Sequence, residues 1–336
     1  MLNISIASRP ILLKMLLLTT VLAIAGCQAG NERKLQNQPV KLSLGIQAVP
    51  YSGLIAIADE KGFFKEAGLD LSITEYPSGG AALEAMCNGQ EQIATVADAV
   101  FAWRLNDQPQ IRIIASIGLS NSNKVVARRD GQIKEPSDLR GKKIGFGKGT
   151  STEYYLDTFL LLNNVPAREV TAIPIPPLKQ VESLVQGEVD AITAFDIQGF
   201  EAKKRLGTNA VSWEAQNNLD FHWVLVVKDE LLKSSEPSKR LLKALVRAER
   251  FYVANVDESK TIISRRFNLD PELIGEIKET TRLSVTLNQS LITSLENFTG
   301  WKMYKEGKSG KLPDFLDYIY VGALDEVNPN AVTIFR

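Results

Sequence analysis

The chain has 336 residues, and 39 Lys and Arg balance 39 Asp and Glu, so its formal net charge is zero. That length suits two lobes with cores of their own. Dispersed, balanced charge leaves out the basic face a nucleic-acid partner requires, and a single histidine, His222, excludes a histidine metal site and argues against a hydrolytic triad.

The first residues are a targeting segment. Arg9 and Lys14 precede an uncharged, mostly apolar run from Met15 to Gly26. It is shorter than the roughly 20 residues of a spanning helix and has the length of a signal-peptide core. It ends in "IAGC", Ile24 to Cys27, which resembles a bacterial lipobox, with cleavage before Cys27 and lipid on its sulfur. Ordinary signal cleavage beside an incidental cysteine is the alternative. The polar, aperiodic stretch that follows reads as a flexible tether. With Cys27 lipidated, Cys87 has no disulfide partner and reads as a buried, inert thiol in a helix.

Beyond the tether, "KLSLGIQ" alternates with Leu42, Leu44 and Ile46 on one face, a strand signal. A helix from Ser52 is stopped by Gly68, "LDLSITEYP" is a strand, and a helix opens at Ser78 and closes at Gly89. "QIATV" is a strand, "DAVFAWRLND" a helix with Asp98 at its start, and "IRIIASIG" another strand. Strands alternating with helices of this length imply a parallel sheet covered on both faces. "NSNKVVARRDGQIKEPSDLRG" reads as a crossing segment. The alternation then restarts with "KKIGFG", "TEYYLDTFLLLNN", the proline-bearing edge strand "VTAIPIP", "PLKQVESLVQGEVD" and "AITAF". "FHWVLVV", Phe221 to Val227, is a further strand and the route back; a helical tail follows. The predicted architecture is α/β: two lobes joined by two crossings, with a ligand cleft at the carboxyl ends of the strands.

"GKGTSTEYYL", Gly147 to Leu156, places Thr150, Ser151 and Thr152 between a strand and a helix. One hydroxyl of such a trio caps the helix. Alternatively the trio, with unpaired first-turn N–H groups, cradles an anionic group. Ser78, Gly79 and Gly80 form a second strand-to-helix turn of the same kind, or an ordinary turn. Tyr51 and Ser52 stand at the end of the first strand and Thr95 after the third, where such a sheet exposes its loops. Tyr51 and Tyr154 offer rings and hydroxyls to an organic ligand, or are half-buried surface residues. Asp196 would repel an anion and pair with an amine; Glu153 favours its own helix N-terminus. "GFGKGT" satisfies neither the dinucleotide fingerprint nor the P-loop spacing, and no cofactor is expected.

Several segments in order resemble one family. "IAIADEKGFFKEAGLDL", "DLRGKKIGFGKGTSTEYYLDTFL" and "LVQGEVDAITAFD", within residues 41–230, are similar to the substrate-binding proteins of ABC importers in the nitrate, sulfonate, taurine and thiamine-precursor (SsuA/THI5-like, NMT1-like) group. The resemblance implies a type II periplasmic binding protein that closes on a small solute and delivers it to a permease and its ATPase. Many members follow the second-lobe Asp with Pro and an aromatic residue, whereas "FDIQGF" stands here, so Asp196 is expected to be held differently.

The expected organisation is a signal peptide over 1–26, a tether over 27–40, a first lobe with helical tail from 41–122 and 228–336, and a second lobe with the crossings over 123–227. The expected function is capture of a small anion or zwitterion by a monomeric, non-enzymatic lipoprotein facing the periplasm or cell exterior. The alternatives are a protein that binds or makes a pyrimidine thiamine precursor, and a sensor of solute occupancy. Expected ligand contacts are Tyr51, Ser52, Ser78, Gly79, Gly80, Thr95, Thr150, Ser151, Thr152, Tyr154 and Asp196, with Cys27 lipidated.

Overall fold

The computed structural model describes residues 39–216 and 219–335, so the expected signal peptide, tether and Cys27 lie outside it. Two mixed sheets organise these residues. In the first half of the chain, β1 (Val40–Gln47) leads through helix α1 (Gly53–Glu60) to β2 (Leu69–Tyr76), α2 (Gly79–Cys87), β3 (Ile93–Ala97), α3 (Asp98–Arg104) and β4 (Ile111–Ser120). Helix α1 ends earlier than the pattern suggests, because Gly62 takes a left-handed φ of 71° and a short second helix follows.

The chain then crosses over into β5 (Lys124–Arg128), β6 (Lys143–Phe146), α4 (Ser151–Leu162), β7 (Thr171–Pro174), α5 (Pro177–Val185), β8 (Ala191–Ala194), α6 (Asp196–Leu206) and β9 (Ala210–Glu214). Next come β10 (Phe221–Lys228) and a mostly helical tail, including α7 (Glu236–Ala254), α8 (Val256–Phe267), the short strand β11 (Thr281–Arg282) and α9 (Gln289–Lys305).

The first sheet has the order β11-β4-β10-β3-β1-β2 and the second β7-β6-β8-β5-β9. Two sequence expectations need correction. The crossing segment contains a strand: β5 pairs antiparallel with both β8 and β9. Moreover Phe221–Val227, placed with the second lobe, is a central strand of the first sheet, antiparallel to β3 and β4. All seven residues are buried, so a continuous apolar strand found a place covered on both faces. The edge position of β7 agrees with its prolines.

Each sheet has its own core. Leu42, Leu44 and Ile46 are buried as their alternation predicts, and α7 and α8 cover α1. Val126, Leu184, Ile192 and Ala202 pack together in the second. Gln216 pins the crossing: its amide donates to the Ser120 carbonyl at 2.9 Å and accepts from the Asn123 N–H at 2.9 Å. No helix among the described residues is long and apolar enough to cross a membrane.

Candidate functional site

A cavity of about 380 Å³ opens between the carboxyl ends of the strands of both sheets. Its walls come from the turns after β1, β3, β6 and β8, from the turn before α2, and from β10. Of the expected contacts, Tyr51, Ser78, Gly79, Gly80, Thr150, Ser151 and Asp196 line it.

The two small-residue turns behave differently. Ser78 caps α2, accepting from the Ala81 N–H at 3.1 Å. Gly79 is required by packing, since a Cβ there would stand 2.7 Å from the Trp223 ring and 3.1 Å from the Val96 Cα. Its N–H donates to Gln47 Oε1 at 3.0 Å. In the other turn the hydroxyls divide their work. Thr150 is the N-cap of α4, its Oγ1 accepting from the Thr152 N–H at 3.3 Å and donating to the Gly147 carbonyl at 2.7 Å. Thr152 Oγ1 accepts from the Gly147 N–H at 3.0 Å and is fully enclosed. Ser151 Oγ is buried with no hydrogen-bond partner in the protein. One hydroxyl therefore caps, one braces the glycine loop, and one, in a residue of the cavity lining, is left buried and unpaired.

Asp196 opens α6. Its Oδ1 accepts from the Ile197 N–H at 2.8 Å, whereas Oδ2 is buried without a hydrogen-bond partner. The Tyr51 hydroxyl faces this carboxyl group, although its closed hydrogen bond, at 3.2 Å, is with Ser122. Burial raises the Asp196 carboxyl to about 6, restrained by Tyr51 and by the N–H groups at the helix start. The Tyr51 phenol is pushed well above its ordinary range, first by burial and then by Asp196. Among the described residues of the lining, Asp196 and the exposed Lys148 are the charged groups. The remaining walls are largely apolar: Val49, Pro77, Val96, Pro176, Phe195 and Phe221. Tyr51 meets Phe221 edge-on at 4.8 Å between ring centroids and Trp223 at 5.8 Å.

Four expected contacts lie outside the lining. Ser52 is fully buried beneath it, donating to the Gln47 carbonyl at 2.9 Å and accepting from Trp223 Nε1 at 3.2 Å. Thr95 is completely enclosed within β3, whose neighbouring Val96 and Ala97 take the wall. Thr152 turns back onto Gly147. Tyr154, one turn along α4, lines a second cavity of about 220 Å³ together with Tyr155, Ser290, Ser294 and Phe298. Sequence reasoning missed Gln47, Phe221 and Trp223. The two aromatic residues flank His222, and strand alternation puts both on one face.

A protein-family model described as NMT1/THI5 like matches residues 49–259. The taurine-binding periplasmic protein of Escherichia coli K12 is 26% identical over 66% of this chain and 69% of its own. A putative aliphatic sulfonates-binding protein of Bacillus subtilis is 23% identical over 92% and 96%. Among solved structures, the periplasmic aliphatic sulphonate binding protein SsuA of Escherichia coli superposes with a TM-score of 0.70 at 17% identity, covering 84% of this chain and 92% of its own. The desulfurization enzyme DSZB shares the fold at a TM-score of 0.65 and 16% identity, over 87% and 99%. Two mixed sheets flanking a cleft, and a family match over more than half the sequence, place the chain in the NMT1/THI5-like family, on the fold of the periplasmic binding proteins.

Proposed function

We propose that this protein is an extracytoplasmic solute-binding lipoprotein, anchored through Cys27, that closes its two lobes on a small organic solute and hands it to an ABC permease and its ATPase. The similarity to taurine- and sulfonate-binding proteins supports the solute class. The observation that carries the reading is a pair of buried, unpartnered polar atoms, Asp196 Oδ2 and Ser151 Oγ, in residues that line one cavity. Buried polar groups are seldom left unpaired. A solute presenting an N–H donor to the carboxylate and an acceptor to the hydroxyl satisfies both.

An aminosulfonate has this form. Its amine meets Asp196, and its anionic end meets the first turn of α4, where Lys148 and the helix dipole favour negative charge. Nitrate and amine-free sulfonates leave Asp196 without a donor, and bicarbonate offers one O–H on an anion that the carboxylate repels; these are the weaker class.

Thermal-shift titration with taurine and longer aminosulfonates, beside the matched amine-free sulfonates, nitrate, bicarbonate and aminopyrimidines, tests this reading, since a bound solute raises the melting temperature. The aminosulfonates should give the largest rise. A response confined to amine-free anions would reverse the assignment of Asp196. For the anchor, Cys27→Ser should move the protein out of the membrane fraction while leaving the solute response intact; unchanged attachment contradicts lipidation.

A further inference from the structure

Helix α4 touches two places at once. Its first turn brings Thr150 and Ser151 to the solute cavity, while Tyr154 and Asp157, further along, meet α9. The Tyr154 ring lies 4.7 Å from Phe298 and 5.7 Å from Trp301, the latter at right angles. Trp301 Nε1 donates to Asp157 Oδ2 at 3.0 Å, and Lys305 Nζ reaches the same oxygen at 2.9 Å. Trp103 of α3 stacks behind, 5.6 Å from Trp301, and donates its indole N–H to the Phe298 carbonyl at 3.0 Å.

These contacts join different halves of the fold. Helix α4 packs on β6 and β8 of the second sheet, whereas α9 packs on α3 and β10, on the side of the first. The seam between them is not close-packed along its length: the 220 Å³ cavity lined by Tyr154, Tyr155, Ser290, Ser294 and Phe298 lies beside the aromatic contact. A packed interface resists displacement, and a void next to it gives one helix room to slide or tilt on the other, as in shear and hinge movements. From Ser151 to Asp157 is about 9 Å along one rigid helix, so a tilt at the seam moves the first turn of α4, whose Thr150 and Ser151 belong to the cavity lining.

We propose that α9 is a positioning element of the solute site: through Phe298, Trp301 and Lys305 it holds Tyr154 and Asp157, and thereby fixes where the first turn of α4 stands in the cavity. The proposal rests on the solute-binding reading for its purpose. Its geometry is independent of any solute, so the test needs none. Asp157 and Trp301 act through α4; neither lines the cavity.

Pulsed electron–electron double resonance on the full chain decides it. Nitroxide labels go on Leu161→Cys, exposed on α4, and Asn88→Cys, at the exposed end of α2 across the cavity, in a background of Cys27→Ser and Cys87→Ser. A control pair, Leu178→Cys with Arg168→Cys, carries both labels on the half of the chain built round the second sheet. With Asp157→Leu the cross-cavity distance should shift and broaden while the control pair keeps its distribution. Asp157→Asn, which retains an acceptor for Trp301, should restore the parent distance. An unchanged cross-cavity distance overturns the proposal. So does an equal change in both pairs, which would assign Asp157 a general structural role.

Discussion

Asp98 and Asp196 occupy matching places and meet different fates. Each opens a helix after a buried strand, each is more than nine-tenths buried, and each accepts at Oδ1 from the next residue's N–H, at 2.9 Å in Asp98 and 2.8 Å in Asp196. Burial lifts both, Asp98 to about 7 and Asp196 to about 6. The difference lies at Oδ2. In Asp98 it accepts from Ser294 Oγ at 2.7 Å and from the His222 N–H at 3.0 Å. In Asp196 it accepts from nothing in the protein. One carboxylate ties α9 and β10 to the first sheet; the other leaves one buried oxygen unpaired beside a cavity. A helix-start Asp is thus structural or functional according to what faces its second oxygen.

The contrast is broken most forcefully at Asp98. Asp98→Asn puts an amide donor or a poorer acceptor opposite the His222 N–H and Ser294, and stranding buried donors costs about 1–3 kcal/mol each. Since burial also raises this carboxyl to about 7, the loss is expected below that pH, about 1–3 kcal/mol in denaturant melts near pH 6, and shrinks above it as the cost of burying the charge is removed; a neutral result at pH 6 would dissolve the distinction.

Asp196→Asn should act in the opposite direction. The unfolded carboxyl titrates near its ordinary value of about 4 and the folded one at about 6. As pH rises between these values the unfolded chain releases its proton first, so the solute-free protein loses stability and stays penalised above the folded value. A shift of roughly two units corresponds to up to about 3 kcal/mol. The Asn variant should therefore be more stable than the parent at pH 8 and level with it below about pH 4, while amine-bearing solutes lose affinity. Parent and variant melting alike at pH 8 would mean that Asp196 carries no burial cost. In the parent, aminosulfonate binding should weaken as pH falls below the folded value.

Smaller effects sharpen the same comparison within the hydroxyl trio. Thr150→Ala removes a cap and should cost about 0.5–2 kcal/mol without solute. Ser151→Ala removes a hydroxyl with no protein partner and should leave solute-free stability nearly unchanged while weakening solute binding. Equal losses of stability from both would assign Ser151 as well as Thr150 to holding the helix start.

What could be read in advance follows the range of each interaction. Caps at Ser78 and Thr150, helix starts at Asp98 and Asp196, and the edge proline strand are short-range chemistry, visible in a few residues. The bond from Ser294 to Asp98 spans the chain from tail to first sheet, and no local pattern announces it. The same holds for Phe221 and Trp223: their strand was legible, yet its insertion between β3 and β4 is a tertiary fact, and only that insertion brings the rings to Tyr51. Strand β5 was hidden by brevity and flanking charge. Tyr154 looked like a ligand contact because its turn was right, but its own position faces α9.

The placing of β10 also bears on the order in which the molecule can be assembled. Strands β3 and β4 are made early, but the strand that joins them arrives only after the whole second sheet, and Val224 must find Val96 across that insertion. Until then two apolar strands have unpaired edges, the condition under which chains associate wrongly. The second sheet is drawn from one continuous stretch, β5 to β9, and its strand pairings need no segment made later. Synthesis from the N-terminus therefore favours a second lobe that folds first and a first lobe that closes last, at a rate set by its long-range pairing.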